Sequence, residues 1–577
     1  MMHSAPSPVL QLRLPLWRSR MMLAIVFAGF AGMAAHAIYL QAFNTDFLQQ
    51  KGESRYSRVI EISAHRGRIT DRNGEIFASS TPVKSVWAIP DDVKASREQL
   101  RELAKALEMP LAEVEKRLAD QDRDFVYLKR QLSPEQAERV TLLNLSGIHQ
   151  QREYRRYYPA GEVAAHVLGF TGVDEVGQEG IELAFQSDLA GHAGSRRVIK
   201  DRRGNVIEDV ASILTPRDGR DLALSLDSKI QYLAYRELKA AVEQHRARAG
   251  GIVVLDAGTG EVLALANLPV FNPNNRANLT GAQLRNRVLT DTFEPGSTMK
   301  PFTAALALEL GLVKPGTVIQ TAPGKLTIGR ATISDAHPHG ALTVNEVIQK
   351  SSNVGTAKLA LQLERQDMWD LFHRAGFGVV PQVRFPGAVS GKLRPARTWL
   401  PIEQATMSYG YGLSTSLLQL ARAYTVFARN GDIVEASFVK AVAPAFGTQV
   451  VHPEVALAVR HMLELAAGPG GTAPRAQTMG YRVAGKTGTA HKQEGAGYAD
   501  KKYRASFVGF APVSNPRLVV AVMIDEPTAG KYFGGEVAAP VFASVIGGAL
   551  RIMGVAPDAP MRPIVLPADG AEVRESM

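Results

Sequence analysis

The chain has 577 residues, 45% of them hydrophobic and 21% charged, which is ordinary for globular protein and long enough for about three or four domains. It contains no cysteine, which excludes disulfides, thiolate catalysis and cysteine-based metal sites, and suits an oxidising compartment. The net charge of +10 and pI near 9.5 suit an anionic surface such as membrane or cell wall; no Arg/Lys-rich tail or nucleic-acid motif accompanies them, which argues against nucleic acid.

Met21 to Leu40 is a run of 20 residues without Asp, Glu, Lys or Arg, enough to span a bilayer core. Arg13, Arg18 and Arg20 precede it and no acid occurs before Asp46. The positive-inside rule then puts residues 1–20 in the cytoplasm as a short tail and everything after 40 outside. Ala35-His36-Ala37 resembles a signal-peptidase site, but the apolar run continues through Leu40, which favours an uncleaved anchor.

Residues 41–216 are mixed and charged. Arg66 to Gly74 reads as a strand ending in an Asn-Gly turn. Asp91 to Met109 and Leu111 to Asp120 have helical periodicity, and Ser133-Pro134-Glu135-Gln136 is a helix start with proline at the first helical position. Arg155 to Gly161 and Gly177 to Glu182 look like loops; taken alone, each reads as a surface turn held by local salt bridges.

A second domain, 217–555, opens near Arg217. Asp227 to His245 reads as a helix, and Gly251–Leu255 and Glu261–Ala266 as a hairpin about Asp256-Ala257-Gly258-Thr259-Gly260. Helices are expected to dominate from Ser297 to about Asn430. Strands return at Tyr481–Ala490, Arg504–Phe510 and Leu518–Ile524, and Ala538 to Met553 closes the domain as an apolar helix. Strands at both ends with helices between predict an α+β fold: one antiparallel sheet closed by sequence-distant strands and covered by helices. Residues 556–577 are Pro-rich and polar and read as a flexible tail.

Chemistry concentrates in three places. Ser297 and Lys300 lie three residues apart at the mouth of an apolar run, Phe302 to Leu312, that reads as a buried helix. Gly296 and Pro301 set its start close to Ser297. A serine with a neighbouring base is an activated nucleophile, and the helix amino terminus favours an oxyanion. Ser351-Ser352-Asn353 falls between two helical runs. Lys486-Thr487-Gly488-Thr489 falls in a strand, whose period of two puts Thr487 and Thr489 on one face and Lys486 on the other. Gly488 there marks close approach of a backbone or ligand. Ser437-Phe438-Val439-Lys440 repeats the first spacing, but it follows Ser351 instead of preceding it and reads as chance.

Ser-x-x-Lys, Ser-x-Asn and Lys-Thr-Gly in this order form the motif set of penicillin-recognising serine enzymes. With the flanking segments, the chain resembles the class B penicillin-binding proteins, and among them the division-specific transpeptidases. The resemblance runs over nearly the whole length. It includes the amino-terminal anchor, Arg66 to Gly74, Arg156 to Glu162, Gly177 to Glu182, Phe271 to Asn274, Glu294 to Lys300, Tyr409 to Gly412 and Ala529 to Tyr532.

The resemblance implies a peptidoglycan D,D-transpeptidase, a target of β-lactams, in which residues 41–216 form a non-catalytic pedestal of dimerisation type and 217–555 the catalytic domain. Ser297 would attack a D-Ala-D-Ala stem peptide and hold the acyl group for a second strand's amine. Lys300 would be the base, which burial and a neighbouring cationic Lys486 favour by disfavouring its charged form. Ser351 would relay a proton to the leaving amine and Asn353 would orient Lys300 and the substrate amide. Lys486, Thr487 and Thr489 would hold the terminal carboxylate, with Gly488 between them, and the backbone N–H groups of Ser297 and Thr489 would form the oxyanion hole. No metal or cofactor is implied. Expected partners are stem peptides on a lipid-linked precursor, a SEDS-type glycosyltransferase and other division proteins, at the inner membrane with the catalytic domain in the periplasm. An elongation-specific transpeptidase of the same class, a β-lactam sensor and a non-catalytic scaffold are the alternatives; Tyr157 to Glu162 leans towards division.

Overall fold

The computed structural model describes residues 15–43, 57–62, 64–123, 125–200, 206–443, 445–495 and 497–561. Residues 1–14 of the expected cytoplasmic tail and 562–577 of the expected carboxy-terminal tail lie outside them.

The chain forms two compact units. The first holds residues 1–64 and 192–217. Its helix Leu16–Ile38 begins earlier than the apolar run requires, taking in Arg18 and Arg20, and passes into a wider turn at Tyr39–Phe43. Within Leu16–Gln41 an 18-residue window has a mean hydropathy of 2.0 and no buried position. A three-stranded antiparallel sheet has Gly194–Lys200 in the middle, flanked by Ser57–Ile62 and Val206–Leu214.

The second unit holds 65–191 and 218–577. Near its start, Ile69–Thr70 runs into the expected turn, where Asp71 Oδ1 accepts from the Asn73 and Glu75 amides at 2.7 and 2.8 Å. The chain continues as the long strand Ile76–Ala88, paired with Val126–Leu132 and with Ile148–Tyr157. The first expected helix is shorter than Asp91 to Met109. Pro90–Asp92 makes one tight turn, and the helix proper, Arg97–Ala106, starts where Ser96 and Gln99 form a capping box. Ser133 and Gln136 make the same device at Pro134–Leu142, as expected.

Two expectations fail here. Arg155 and Arg156 belong to the strand Ile148–Tyr157, opposite Thr81 and Ser80, and not to a loop. Glu182 is not on a surface turn: it is fully buried in the short helix Gly180–Ala184. Its carboxylate accepts from Arg66 Nε and from Arg156 Nε, both at 2.7 Å, and neither partner is local. Glycines make this burial possible, since a Cβ on Gly169 would stand 1.9 Å from the Glu179 carbonyl oxygen. Burial also pushes the Glu175 carboxyl and the Tyr158 phenol above their ordinary ranges.

The core of the unit is a five-stranded antiparallel sheet in the order Val262–Leu268, Ala249–Asp256, Leu518–Asp525, Gly497–Ala511, Ala484–Glu494. The hairpin and the closing of the sheet by distant strands are as the sequence implies. Every residue of Leu518–Asp525 is buried because both faces are covered. Val520, Val522 and Ile524 pack with the helices Ser228–Gln244 and Ala539–Ile552; Val519, Ala521 and Met523 pack with Leu417–Ala428. Between Ser297 and Asn430 helices do dominate, but two small sheets interrupt them, Val318–Gln320 with Ala341–Thr343 and Lys325–Ile328 with Ala331–Ser334. After the last helix, the start of the expected flexible tail is held: Asp558 accepts from the Arg482 and Ser514 amides at 2.7 and 3.1 Å.

Candidate active site

Ser297 lies in a tight turn, Gly296–Met299, that runs directly into the helix Lys300–Glu309. Pro301 is tolerated in the helix's first turn, where no intrahelical partner is lost. Ser297 is 4% exposed and Lys300 is fully buried. The turn is braced from three sides. Tyr424, itself buried, donates to the Thr298 carbonyl at 2.8 Å, and Thr298 Oγ1 donates to the Pro295 carbonyl at 2.8 Å. Gly410 packs backbone to backbone on Gly296, so closely that a Cβ on it would lie 2.2 Å from the Gly296 oxygen. Glu294 accepts from the Gly412 amide at 2.7 Å. The Tyr409-Gly410-Tyr411-Gly412 segment is therefore the buttress of the Ser297 turn.

The second motif meets the first at Lys300. Its Nζ donates to Ser351 Oγ at 3.0 Å and to the Ser351 carbonyl oxygen, and lies 6.0 Å from the centroid of the Tyr409 ring. Ser351 can take both contacts because it adopts a φ of 59°, a left-handed conformation that few non-glycine residues hold. What maintains it is Ser352, the N-cap of Asn353–Ala360: its Oγ accepts from the Gly355 amide and donates to Asp335. Asp335 also accepts from the Val354 amide at 3.0 Å, a carboxylate at a helix amino terminus. Asn353 Nδ2 donates to the Ser334 carbonyl at 3.2 Å.

The third motif lies on Ala484–Glu494, the edge strand of the sheet. A Cβ on Gly488 would lie 2.7 Å from the Pro295 carbonyl and 3.0 Å from Thr298 Cγ2, so the strand passes in contact with the Ser297 turn, and only glycine fits. On the far side Gly534 presses on the same strand, its amide donating to Thr489 Oγ1 at 3.0 Å. The expected separation of Lys486 from Thr487 by strand alternation does not hold at the side-chain tips. Lys486 Nζ comes to 3.2 Å from Thr487 Oγ1. Among the described residues no further strand pairs with its outer side, so the flexible lysine stem can round that edge. Lys486 and Thr487 are both fully buried.

The three motifs thus converge, Lys300 on Ser351 and the Lys486–Thr489 strand against the Ser297 turn, and Ser437 does not join them: its hydroxyl is engaged with Val439 in its own turn. Sequence reading missed Asp335, Tyr424, Thr472 and Gly534 as parts of the site, and gave Glu294 and Gly410 no role. Glu294 and Gly410 lay inside segments already noted; Asp335 and Tyr424 carry no local signal. Burial and Glu294 push the Tyr411 phenol up to about 12, so it stays protonated at neutral pH. Among the described residues no group of acids and histidines is arranged to hold a metal.

A buried serine on a helix-opening turn, a lysine on a second serine, and a Lys-Thr-Gly edge strand define a serine acyltransferase of the penicillin-recognising fold. Residues 250–547 match the Penicillin binding protein transpeptidase domain, and residues 61–224 the Penicillin-binding Protein dimerisation domain. The chain belongs to the class B penicillin-binding proteins. It is 44% identical to the probable peptidoglycan D,D-transpeptidase PenA of Neisseria meningitidis, over 92% of each chain. It is 42% identical to the peptidoglycan D,D-transpeptidase FtsI of Escherichia coli K12, over 94% of this chain and 93% of that one. A solved apo structure of the TP domain of Burkholderia pseudomallei penicillin-binding protein 3 is 52% identical. It covers 58% of this chain and 98% of its own, with a TM-score of 0.55.

Proposed function

We propose that this chain is a peptidoglycan D,D-transpeptidase of the division septum, with Ser297 as nucleophile. The observation that carries the reading is the buried contact of Lys300 with Ser351, one helical turn from Ser297. Ser297 Oγ bonds to the carbonyl carbon of the penultimate D-Ala, and its proton passes to Lys300. The C–N bond to the terminal D-Ala breaks, and Ser351 hands a proton to the leaving amine as Lys300 returns the one it took to Ser351. An amine from a second stem peptide then attacks the ester, forms the cross-link and restores the serine. The Ser297 and Thr489 N–H groups stabilise the oxyanion, each worth about 3–4 kcal/mol of barrier. Asn353 orients the substrate amide, and Lys486, Thr487 and Thr489 take the terminal carboxylate beside Gly488. A β-lactam acylates the same serine.

In this reading residues 21–40 anchor the chain in the inner membrane, 41–216 form the pedestal, and 217–555 work in the periplasm alongside a SEDS-type glycosyltransferase and other division proteins. The FtsI relatives and the Tyr157 to Glu162 stretch support division over elongation. Ser297→Ala should abolish covalent labelling by a fluorescent penicillin while Ser437→Ala retains it. The opposite pattern would overturn the assignment. Depletion should give filaments; round cells would instead indicate elongation.

A further inference from the structure

Ser351 holds Lys300 through hydrogen bonds; a second neighbour meets it with a ring face. The Tyr409 ring centroid lies 6.0 Å from Lys300 Nζ. Lys300 is fully buried and Tyr409 is 7% exposed, so water screens this pair little. The ring is fixed by what surrounds it. It packs with Ile333, Ala357 and Ala405, meets the Tyr411 ring edge-on at 5.9 Å, and is followed by Gly410, which presses on Gly296. Burial, and after it Tyr411, push the Tyr409 phenol far above its ordinary range, so the ring stays a neutral phenol at working pH.

An aromatic face attracts a cation, most strongly where water is excluded. A general base has to hold a proton in the transition state, and burial makes that costly for a lysine, as a cationic Lys486 would too. A carboxylate in contact would overcorrect and lock the amine as an ammonium. A ring face offsets part of the cost and still lets the amine titrate. Asp335, behind the Ser351 turn, has its carboxylate on Ser352 and the Val354 amide. On the helices packed around Lys300–Glu309, Glu346 is engaged with Thr343, Lys358 with the Gln320 carbonyl, Asp370 with Gln366 and Arg460 with the Phe427 carbonyl. We propose that Tyr409 is a positioning residue for the base: its ring stabilises the protonated form of Lys300 that arises as Ser297 gives up its proton, without a bond that would keep the amine from accepting it. This rests on the reading that Lys300 is that base.

The test is the pH profile of acylation by a fluorescent penicillin, on the full-length protein in detergent. The rate falls below the apparent pKa of the base, because a protonated amine cannot accept the serine proton. Weakening the ring's attraction makes protonation harder and moves that acid limb to lower pH. Tyr409→Phe keeps the ring face. Trifluorophenylalanine at position 409 keeps the shape and strips the face of its negative charge. Tyr409→Leu removes the ring. Tyr409→Phe should leave the limb within about 0.2 pH unit of wild type, and the other two should move it down by about 0.5–1 unit. An unmoved limb with the trifluoro ring, or a Phe variant that moves it as far, would overturn the proposal. So would a leucine variant slowed alike at every pH, which is what lost packing does; the trifluoro ring decides if the leucine variant does not fold. Lys300→Ala separates the proposal from the reading beneath it, since it should acylate slowly or not at all and show no acid limb. If the limb persists there, the base assignment falls. If it vanishes there and the trifluoro ring leaves it in place, only the role of Tyr409 falls.

Discussion

Lys300 Nζ stands 3.0 Å from Ser351 Oγ, and the two residues are 51 apart in sequence and both fully buried. The contact joins the helix Lys300–Glu309 to the turn that precedes the helix Asn353–Ala360. The proposed roles of Lys300 as base and Lys486 as positive charge predict different responses to arginine. Lys300→Arg should be nearly inactive in penicillin acylation, because a guanidinium does not deprotonate at working pH. Lys486→Arg should retain more, since positive charge is its proposed contribution. Stopped-flow acylation rates for the two variants check this, and equal losses would remove the distinction.

Glu182 answers two guanidinium groups at once. Its carboxylate is buried with Arg66 and Arg156, which are 4% and 5% exposed. Glu182→Ala would leave two buried cations without their shared anion, at a cost of about 3–5 kcal/mol. Thermal unfolding should drop accordingly, and septation should be lost with it. A variant that melts normally yet fails to divide would show instead that this cluster transmits activation from a partner.

His166 gives a pH dependence of stability. Burial is the main cause that lowers it from 6.5 to about 4; its bond to the Gln283 carbonyl opposes the shift, and Arg287 adds to it. Between those values the unfolded chain binds a proton that the folded chain does not. Stability is therefore complete above pH 6.5 and falls as pH drops towards 4, by about 3 kcal/mol in all. His166→Gln keeps a donor and removes the titration. Its midpoint in urea should fall less than that of wild type between pH 6.5 and 4.5, and parallel curves would contradict the assignment.

The amino-terminal helix should hold the mature protein in the membrane. Residues Leu16–Gln41 span 26 positions. At about 1.5 Å per residue that exceeds the roughly 30 Å of hydrocarbon core, which leaves room for Arg18 and Arg20 at the interface. The protein should resist alkaline extraction. Amino-terminal sequencing that began at Ile38 would identify a cleaved leader.

Much of this architecture was legible because local rules and tertiary need agree. Ser96, Ser133 and Asp227 cap the helices their side chains announce. Short apolar runs bounded by turn residues gave the sheet, and motif order separated Ser297 from Ser437. What was not legible depends on contacts made at a distance. The ion pair of Arg66 with Glu182 spans 116 residues, and no window of sequence distinguishes it from a solvent-facing charge. Asp335 looks like any loop acid until the helix Asn353–Ala360 is set against it. The Lys486 tip departs from its strand's alternation because that strand is an edge, a fact of topology and not of the motif.

The order of the central sheet has a consequence for synthesis. Its middle strand, Leu518–Asp525, is the last of the five to be made, and it joins Ala249–Asp256 to Gly497–Ala511. Until it emerges, a hairpin finished more than two hundred residues earlier waits with an apolar edge and no neighbour, a slow and aggregation-exposed route for any chain. A product cut short before Leu518 would carry Ser297, Lys300, Ser351 and Lys486 all intact, and would lack the strand that joins the two halves of the central sheet.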